Sequence, residues 1–537
     1  MSQTSPASPS TASRTQTPSP TPSPVPPSAG PQTNPVDRSG VKDGGVLRLV
    51  GDAPANWNPW AWPEFDLPAA LDAMTARLFA VGADGALHWD SAWLADAPVV
   101  SPQGRTLAQP MTVTYSLNPQ AVWSDGTPMG AGDFVATWQA CAADPGPVCA
   151  GRGFEHISDV TAPSPGQVVV TYGIDYSDWQ YTFMRGPLRA GDIATAESRE
   201  AVWDSAAGHE GAFSGPFRAG TADGDIVLQK NPWWWGNPTK LDTIALVRPG
   251  AGGPLLSYLR QDIDGFVSDD VNLLAQAGQT PGIQARRGSS GGARMLLLNC
   301  AQAPLDDKVV RKAVLTGLDR AKLTDSDLAT WKPPGTVLNS PVWAPEQPEY
   351  AVAGTGYDPK AARAALDADG WVPGNDGMRT RNGQALAWDF LVPQGDSLTE
   401  NEGFGLRVQL AALGIRLNLV YVDASQVASL LSQGQYAMAG VTIGRTTALD
   451  LARRYTTGNQ VNYASVVVDA LYIQAQSTLD PAVKKASLRS LAETVWDDAP
   501  VIPLYEVPQI LLTRPTLANL GPTGLGTTLW ENVGWTA

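Results

Sequence analysis

The side chains that most often perform catalysis are scarce in this sequence and poorly spaced. The 537 residues include three histidines, His88, His156 and His209. His209-Glu210 lacks the second histidine that a zinc-protease helix carries four residues after the first. The stretch Gly288-Ser-Ser-Gly-Gly292 has the spacing of a nucleophile elbow, but no histidine follows it in the chain. The Ser, acid, His order of an α/β-hydrolase is therefore excluded, and we interpret this stretch as a linker.

Paired acids and cofactor motifs give no better case for an enzyme. Asp269-Asp270, Asp306-Asp307 and Asp497-Asp498 are neighbours in sequence, and neighbouring side chains diverge on a helix or strand. We find no P-loop, no dinucleotide-binding glycine motif and no cysteine or histidine cluster with metal spacing. Nothing in these motifs therefore argues for catalysis, and no cofactor is expected.

Tryptophan is the residue type that most suggests binding. The chain has 19, including Trp57, Trp60 and Trp62 in one proline-containing loop and three consecutive ones in Lys230-Asn-Pro-Trp-Trp-Trp-Gly236. Exposed indole faces stack on sugars, peptide side chains and cations. Packing in a core is the alternative for each of them, because tryptophans are highly buried on average.

Charge excludes one class of partner. The chain has 52 acidic and 37 basic residues, a formal net charge of −15. Proteins that bind nucleic acid carry the opposite balance, so we expect no nucleic-acid partner. No run of 18 apolar residues is present, and the chain as given is not expected to span a membrane.

Residues 1–44 differ in composition from the rest. Ten prolines fall among the first 35 residues, between serines and threonines. Such a segment cannot bury enough apolar surface to fold, so we expect a disordered tether. A tether of this kind is typical of surface proteins, and the alternative is the disordered tail of a cytosolic protein. We therefore expect a removed signal peptide and a lipid-bearing cysteine to precede this chain, with the lipid as its membrane anchor.

The cysteines leave two alternatives. Cys141 and Cys149 flank a turn-rich loop that could let them meet in a disulfide, which would indicate an oxidising compartment. The alternative is two free, partly buried thiols. Cys300 ends the apolar run Met295–Cys300 and is expected to be a buried strand residue.

The periodicity of apolar residues predicts a mixture of strands and helices. Strands are expected at 44–50, 111–117 and 415–422, and Gly414 is expected to end the helix before the last of these. The helices are expected at 308–318, 361–366, 402–413 and 482–499. This mixture indicates an α/β or α+β protein with sheets in several domains.

Several stretches, in order from about residue 44 to residue 537, resemble one known family. They begin with a strand running into Trp123-Ser-Asp-Gly-Thr-Pro128, and Ser214-Gly-Pro-Phe217 and Lys230–Gly236 follow. Further matches are Leu298–Asp307, Tyr357–Trp371, Leu413-Gly-Ile415, Gly434-Gln-Tyr436 and Ala499–Pro503. Together they resemble the extracytoplasmic solute-binding proteins of the peptide/nickel class of ABC importers, the dipeptide- and oligopeptide-binding family.

The resemblance implies an α/β fold, a bilobed clamshell of the type II periplasmic-binding-protein kind with an extra subdomain in the first lobe. The first lobe would comprise residues 45–63, 205–285 and 501–537, and the extra subdomain residues 64–204. The second lobe would comprise residues 286–500. Such a protein is expected to be a monomeric, extracytoplasmic lipoprotein that captures a solute and delivers it to membrane permease subunits without turnover.

The resemblance also suggests ligand contacts. The family lines its cleft with the loop after the first strand, which here carries Trp57, Asn58, Trp60 and Trp62; Trp343 falls in another bordering stretch. Peptide-binding members place an acid for the peptide ammonium in a loop that corresponds to Ala439–Asp450. Here Arg445, followed by Thr446, stands near that place, and it could take a carboxylate or phosphate. Alternatively, Arg445 points to solvent or pairs with Asp450.

Four functions are therefore compatible with the sequence. The leading hypothesis is capture of a peptide or peptide-like solute for an importer. The same fold could instead bind an oligosaccharide or another non-peptide solute. A secreted glycoside hydrolase and a surface sensor are the further alternatives. In the resembling family the place of Trp233–Trp235 is architectural, so we expect at least two of these indoles to pack.

Overall fold

The computed structural model describes most of the chain. The described residues are 32–62, 67–75, 77–101, 109–193, 201–222, 225–268, 270–328, 337–351, 356–444 and 447–537. Within them the helices are α1 Ala69–Met74, α2 Ala131–Ala143, α3 Gly146–Cys149, α4 Trp179–Thr182, α5 Gly253–Leu259, α6 Val271–Gly278, α7 Lys308–Gly317, α8 Arg320–Asp327, α9 Pro359–Ala368, α10 Ser397–Ala411, α11 Val427–Ser432, α12 Ala448–Arg453, α13 Val466–Gln476 and α14 Pro481–Asp498.

The strands of the same regions complete the element order. They are β1 Val46–Val50, β2 Phe79–Val81, β3 Leu87–Trp89, β4 Val99–Val100, β5 Met111–Ser116, β6 Ile157–Ser164, β7 Gln167–Tyr172, β8 Phe217–Ala222, β9 Asp225–Lys230, β10 Thr243–Val247, β11 Gly265–Val267, β12 Gln284–Leu298, β13 Val372–Pro373, β14 Arg379–Arg381, β15 Gln384–Ala385, β16 Ala387–Pro393, β17 Arg416–Val422, β18 Met438–Gly444, β19 Val501–Thr513, β20 Leu517–Ala518 and β21 Gly534–Trp535.

One large sheet runs through the molecule. Its ten strands lie in the order β17-β16-β18-β12-β19-β11-β1-β10-β9-β8. The two long central strands, β12 and β19, are antiparallel and pair from Gln284 opposite Thr513 to Leu297 opposite Val501. We call β8, β9, β10, β1 and β11 the first half of the sheet, and β18, β16 and β17 the second half. Only the central pair belongs to both.

The pairing of β12 with β19 is interrupted in the middle. Ser289 lies opposite Pro508, but the next pair is Ala293 opposite Glu506, so β12 advances four residues while β19 advances two. Proline has no N–H to donate to the ladder, and extra residues on one strand form a bulge. Gly288–Gly292 therefore lies inside β12 at this bulge. Our interpretation of it as a linker was wrong.

Separate cores pack on the two halves. The second half is covered by α7, α9 and α10, with a core that includes Leu296, Val310, Leu366, Phe390 and Leu410. The first half packs on α1 and the C-terminal segment, with a core that includes Leu47, Leu71, Phe217, Leu246 and Trp530. Each half thus has its own apolar support, as independent folding units require.

A smaller sheet forms a third unit. Its strands lie in the order β4-β5-β7-β6. Burial alternates along β5, and Tyr115 on its buried face stacks on Phe134 of α2. The core of this unit is continuous with Leu297, Leu391 and Val501 of the large sheet and with Leu449 of α12. Cys141 on α2 and Cys149 at the end of α3 form a disulfide within it.

The segment before β1 lies against the body from residue 32 onward. Asn34 Nδ2 donates to the carbonyl of Leu517 at 2.8 Å, and the Val36 N–H donates to Asn519 Oδ1 at 2.8 Å. The expectation of a tether over residues 1–44 is therefore wrong for residues 32–44, because the C-terminal segment offers this backbone hydrogen-bond partners. Residues 1–31 lie outside the described residues.

The predicted elements are found with shifted ends. The helices expected at 308–318, 361–366, 402–413 and 482–499 correspond to α7, α9, α10 and α14. Gly414 has φ +83° and follows the end of α10 as predicted, because glycine adopts this left-handed conformation without a steric cost.

The three consecutive tryptophans belong to the framework. Trp234 and Trp235 are half-buried against the core of the smaller sheet, and the Trp235 indole N–H donates to the carbonyl of Ala92. Trp233 is 49% exposed and covers Gly126, where a Cβ atom would come within 2.9 Å of its ring. At least two of the three indoles pack, as predicted.

Thiol counting checks the disulfide. We expect one free thiol, that of Cys300, in denatured and unreduced protein, and three after reduction. Denaturation is needed because burial raises the pKa of the Cys300 thiol to about 11, which leaves little reactive thiolate in the native state. Replacing Cys141 and Cys149 by serine should lower the free energy of unfolding by about 2–3 kcal/mol, as the closed loop is short. Three free thiols without reduction would contradict the disulfide.

Candidate functional site

A cavity lies where the two halves of the large sheet meet. Its volume is about 550 Å³, within the usual range for small-molecule sites. The central strand pair contributes Ser290, Gly291 and Gly292 at the bulge and Gln509 and Leu511 on β19, and the second half contributes Thr442 and Gly444 at the end of β18. The remaining wall comes from the first half and its supports: Leu49, Leu67, Ala69, Asp72, Arg77, Val267, Leu520, Gly521, Thr523, Gly524, Leu525, Gly526, Thr527, Thr528 and Trp530.

Three of these residues form a polar group on one wall. Arg77 Nη2 donates to Asp72 Oδ1 at 2.6 Å, and the Trp530 indole N–H donates to Asp72 Oδ2 at 2.7 Å. Both oxygens of the carboxylate are therefore occupied by donors. Asp72 on α1 thus fixes both the guanidinium and the indole ring.

The loop of residues 521–528 closes another side of the cavity. The Gly524 N–H donates to the carbonyl of Ser289 at 3.1 Å. Gly291 has φ +81°, and a Cβ atom there would lie 2.7 Å from the carbonyl oxygen of Gly524. Glycine is required at this position because the loop backbone approaches so closely.

The predicted tryptophan loop lies in the packing and does not line this cavity. Trp57 is 5% exposed and Trp60 is 4% exposed, in two different cores. Asn58 is buried too, and its side-chain oxygen accepts from the Trp60 N–H at 3.1 Å, which caps the short 3₁₀ helix Pro59–Ala61. The loop is thus shaped by its own hydrogen bonds.

Two arginines fix the same loop from the smaller sheet. Arg185 Nη1 donates to the carbonyls of Pro59 and Trp62, at 2.6 and 3.1 Å. The guanidinium of Arg152 lies 5.0 Å from the centre of the Trp60 ring, within range of a cation–π interaction. Half-buried Trp62 donates its indole N–H to the carbonyl of Asn56. Ligand contact by Trp57, Asn58, Trp60 and Trp62 stays a prediction.

Trp343 is also enclosed by protein. It is 5% exposed and shares the core that contains Trp60. Its backbone N–H donates to Ser340 Oγ at 3.0 Å, and the Tyr455 hydroxyl donates to the neighbouring Pro341 carbonyl. The structure therefore brings Trp60 and Trp343 into one apolar cluster, away from the cavity wall.

Arg445 and Thr446 lie outside the described residues, so their predicted role stays a prediction.

A polar contact joins the smaller sheet to helices α12–α14. Asp178 accepts from Lys484 of α14 and from the Thr447 hydroxyl before α12. The Ser177 N–H donates to the carbonyl of Gln476 at 2.9 Å, and His156 Nε2 lies 3.0 Å from Gln476 Nε2. We call these residues the cross-contact. Any movement that separates the smaller sheet from α12–α14 must break it.

The surroundings of His156 favour its neutral form. Burial lowers its pKa, and the neighbouring Glu155 carboxylate opposes that shift. Gln476 Nε2 donates one hydrogen to the Tyr472 hydroxyl at 3.0 Å. Because an amide nitrogen can only donate, His156 Nε2 accepts the second hydrogen. A protonated imidazole has no acceptor to offer there.

The fold and the cavity together define a class. Two separately supported halves share one central strand pair, a cavity opens at the interruption of that pair, and a polar contact joins the smaller sheet to α12–α14. This is the arrangement of a bilobed ligand-binding protein. Within the described regions, no helix has the length and apolar character of a membrane span, and no three His, Cys, Asp or Glu side chains are grouped as metal ligands.

Comparison with known proteins identifies the family. Residues 91–463 match the model of the bacterial extracellular solute-binding proteins, family 5 (middle region). The chain belongs to this family. It is therefore an extracytoplasmic solute-binding protein, as the resemblance implied.

Individual relatives agree over most of the chain. The oligopeptide-binding protein OppA of Mycobacterium tuberculosis H37Rv is 28% identical over 523 residues, covering 94% of this chain and 86% of OppA. The periplasmic EDTA-binding protein EppA has the same fold, with a TM-score of 0.78 and 21% identity over 95% of this chain and 98% of EppA. AppA of Bacillus subtilis, solved with a nonapeptide, has a TM-score of 0.71 and 17% identity over 93% of this chain and all (100%) of AppA.

The group of Asp72, Arg77 and Trp530 was not predicted from the sequence. Asp72 and Arg77 flank the end of α1, but Trp530 comes near the end of the chain. No local pattern marks them, because each looks like an ordinary helix-end or C-terminal residue. The glycines and threonines of residues 521–528 were the available signal, since such a stretch allows a backbone to approach a ligand closely.

The cross-contact should weaken in acid. Because the pKa of His156 is lower in the folded protein than in the unfolded chain, folding stability is fully present above the unfolded pKa of about 6.5 and falls as the pH drops through the folded value. We expect a loss of about 1 kcal/mol, the net contribution of one hydrogen bond.

Thermal unfolding between about pH 7.5 and pH 5 measures this loss. The variant His156→Asn should lose that part of the pH dependence. His88→Asn is the matched control, since His88 is exposed on β3. Equal pH dependence in wild type and His156→Asn would show that His156 does not contribute.

Proposed function

We propose that this protein captures a peptide or peptide-like solute between its two lobes and delivers it to the permease subunits of an ABC importer. The observation that carries the proposal is the cavity at the β12–β19 bulge, whose wall is contributed by both halves of the sheet. Similarity to an oligopeptide-binding protein over 94% of the chain supports a peptide as the solute.

The mechanism rests on an equilibrium between an open and a closed form. A solute that contacts both halves stabilises the closed form by its differential affinity for it. Bulge residues Ser290–Gly292 and Gln509 lie at the cavity and on the strands shared by both halves. Rotation at the bulge would therefore open or close the cavity while keeping the central strands paired on each side.

The division into lobes belongs to the same proposal. Residues 45–63, 205–285 and 501–537 would form the first lobe, with residues 64–204 as its extra subdomain and residues 286–500 as the second lobe. The bulge at residues 289–293 lies close to the proposed boundary at residue 286. In this scheme the cross-contact holds the extra subdomain against the second lobe in the closed form.

Binding without turnover, a monomeric state and a lipid anchor complete the proposal. The cavity wall carries one carboxylate, Asp72, among its described residues, whereas glycoside hydrolysis uses a pair of acids across the substrate. A lipoprotein placed next to its permease fits an extracytoplasmic binding protein with no membrane-spanning helix in its described part.

Native mass spectrometry of gently purified protein tests the capture function. We expect a co-purified peptide, released on denaturation. The variant Thr528→Trp should lose it because the larger side chain fills the cavity, whereas Thr516→Trp, on an exposed turn, should keep it. A bound sugar in place of a peptide would favour the oligosaccharide alternative, and turnover of a glycoside would contradict binding without catalysis.

Arg445 has a separate test. If it binds an anionic group of the solute, Arg445→Ala should weaken binding about tenfold, since hydrogen bonds to charged groups contribute about 1.5–3 kcal/mol. Calorimetry with the co-purified solute measures this. Arg454→Ala, at the exposed end of α12, is the matched control. Unchanged affinity in Arg445→Ala would remove Arg445 from the site.

A further inference from the structure

We propose that Arg77 is the anchoring residue for a carboxylate group of the captured solute, in the cavity at the β12–β19 bulge. This inference rests on the proposed capture function and specifies the chemistry of its ligand: a compact solute with a carboxylate end and an apolar body.

Within the described part of the chain, Arg77 has one hydrogen-bonded acceptor, Asp72, and its Nε has none. The residue is 9% exposed and lines the cavity. Among the described residues, the side-chain acceptor it meets is Asp72, which takes one hydrogen from Nη2. Nε is buried and has no hydrogen-bond partner there. A guanidinium has five N–H groups, and leaving one buried donor such as Nε unsatisfied costs about 1–3 kcal/mol, more for a charged group.

Asp72 is not available to bind a cationic group of the ligand. One of its oxygens accepts from Arg77 and the other from the Trp530 indole. An incoming ammonium group would compete with both donors and would meet the charge of Arg77. A carboxylate, in contrast, could accept from the guanidinium in its preferred planar geometry while Asp72 and Trp530 keep it oriented.

The rest of the wall favours a solute that is otherwise uncharged. Asp72 and Arg77 are the charged residues among the described lining. The other polar groups include the hydroxyls of Ser290, Thr442, Thr523 and Thr528. Leu49, Leu511, Leu520 and Leu525 supply apolar surface. The carboxy terminus of a short peptide has this character, and so does a small dicarboxylate.

A comparison of acids with their amides tests the proposal. The probes are a library of tripeptide free acids, the matching carboxy-terminal amides, and succinate as a non-peptide carboxylate, each titrated calorimetrically against protein dialysed free of solute. For wild type, we expect the best-binding free acid to bind at least about tenfold more tightly than its amide, a difference of about 1.4 kcal/mol. Arg77→Gln should reduce that ratio to about one.

Two further variants separate a loss of acid preference from a loss of folding. Arg77→Gln leaves the Asp72 carboxylate without a cationic partner. The double variant Asp72→Asn/Arg77→Gln removes both charges together and should show the same loss of acid preference. Arg248→Gln replaces an exposed arginine paired with Asp52 and should retain the full preference. Thermal unfolding of each variant verifies that it is folded.

The outcomes separate this inference from the capture function. Acids and amides that bind wild type equally would support peptide capture and overturn the role of Arg77. Binding of succinate but of no peptide, abolished in Arg77→Gln, would support the carboxylate anchor and contradict peptide capture. An acid preference that persists in Arg77→Gln, or no binding of any carboxylate to wild type, would overturn the inference.

Discussion

The pairing of β12 with β19 is the constraint on which the rest of the structure depends. These strands are the only ones among the described residues that belong to both halves of the ten-stranded sheet. Each half packs its own helices on its own core, so the central pair carries the connection between them. At the bulge, Pro508 lacks an N–H and Gly291 allows close backbone approach, so regular pairing stops there. A continuous pair with one interruption keeps the halves in register and concentrates any relative movement at one place.

The cavity follows from that interruption. Where the ladder stops, residues 521–528 bring a glycine-rich backbone against the bulge, and the end of β18 approaches from the other half. The same place therefore has backbone irregularity, access from both halves and a buried guanidinium. Buried charge is costly unless it is paired, and the group of Asp72, Arg77 and Trp530 satisfies the carboxylate more fully than the guanidinium. Because of this asymmetry, the cavity favours ligand groups that accept hydrogen bonds, such as a carboxylate. Its size and its apolar lining alone would give no such preference.

The tryptophans serve a different purpose from the one that their abundance suggests. Trp60 is enclosed by its capped loop and by Arg152, and Trp343 joins it in a core shared by the smaller sheet and the second half. Trp234 and Trp235 support the smaller sheet, and Trp530 orients Asp72. Large indoles are suited to this work because each buries much apolar area and offers one directed N–H donor. The cross-contact around Asp178 and His156 adds polar specificity to the same apolar junction.

The sequence by itself determined the class of this protein. The apolar periodicity located α7, α9, α10 and α14, because helix formation reflects local spacing and caps, and the ordered stretches from Trp123 to Pro503 predicted the family that the comparison identifies. Tertiary structure decided the rest. That Gly288–Gly292 is strand and not linker depends on β19, more than 200 residues away in sequence. The cavity wall likewise unites Arg77 with Trp530. Such neighbours are set by sheet topology and packing, which bring together residues that no local pattern relates.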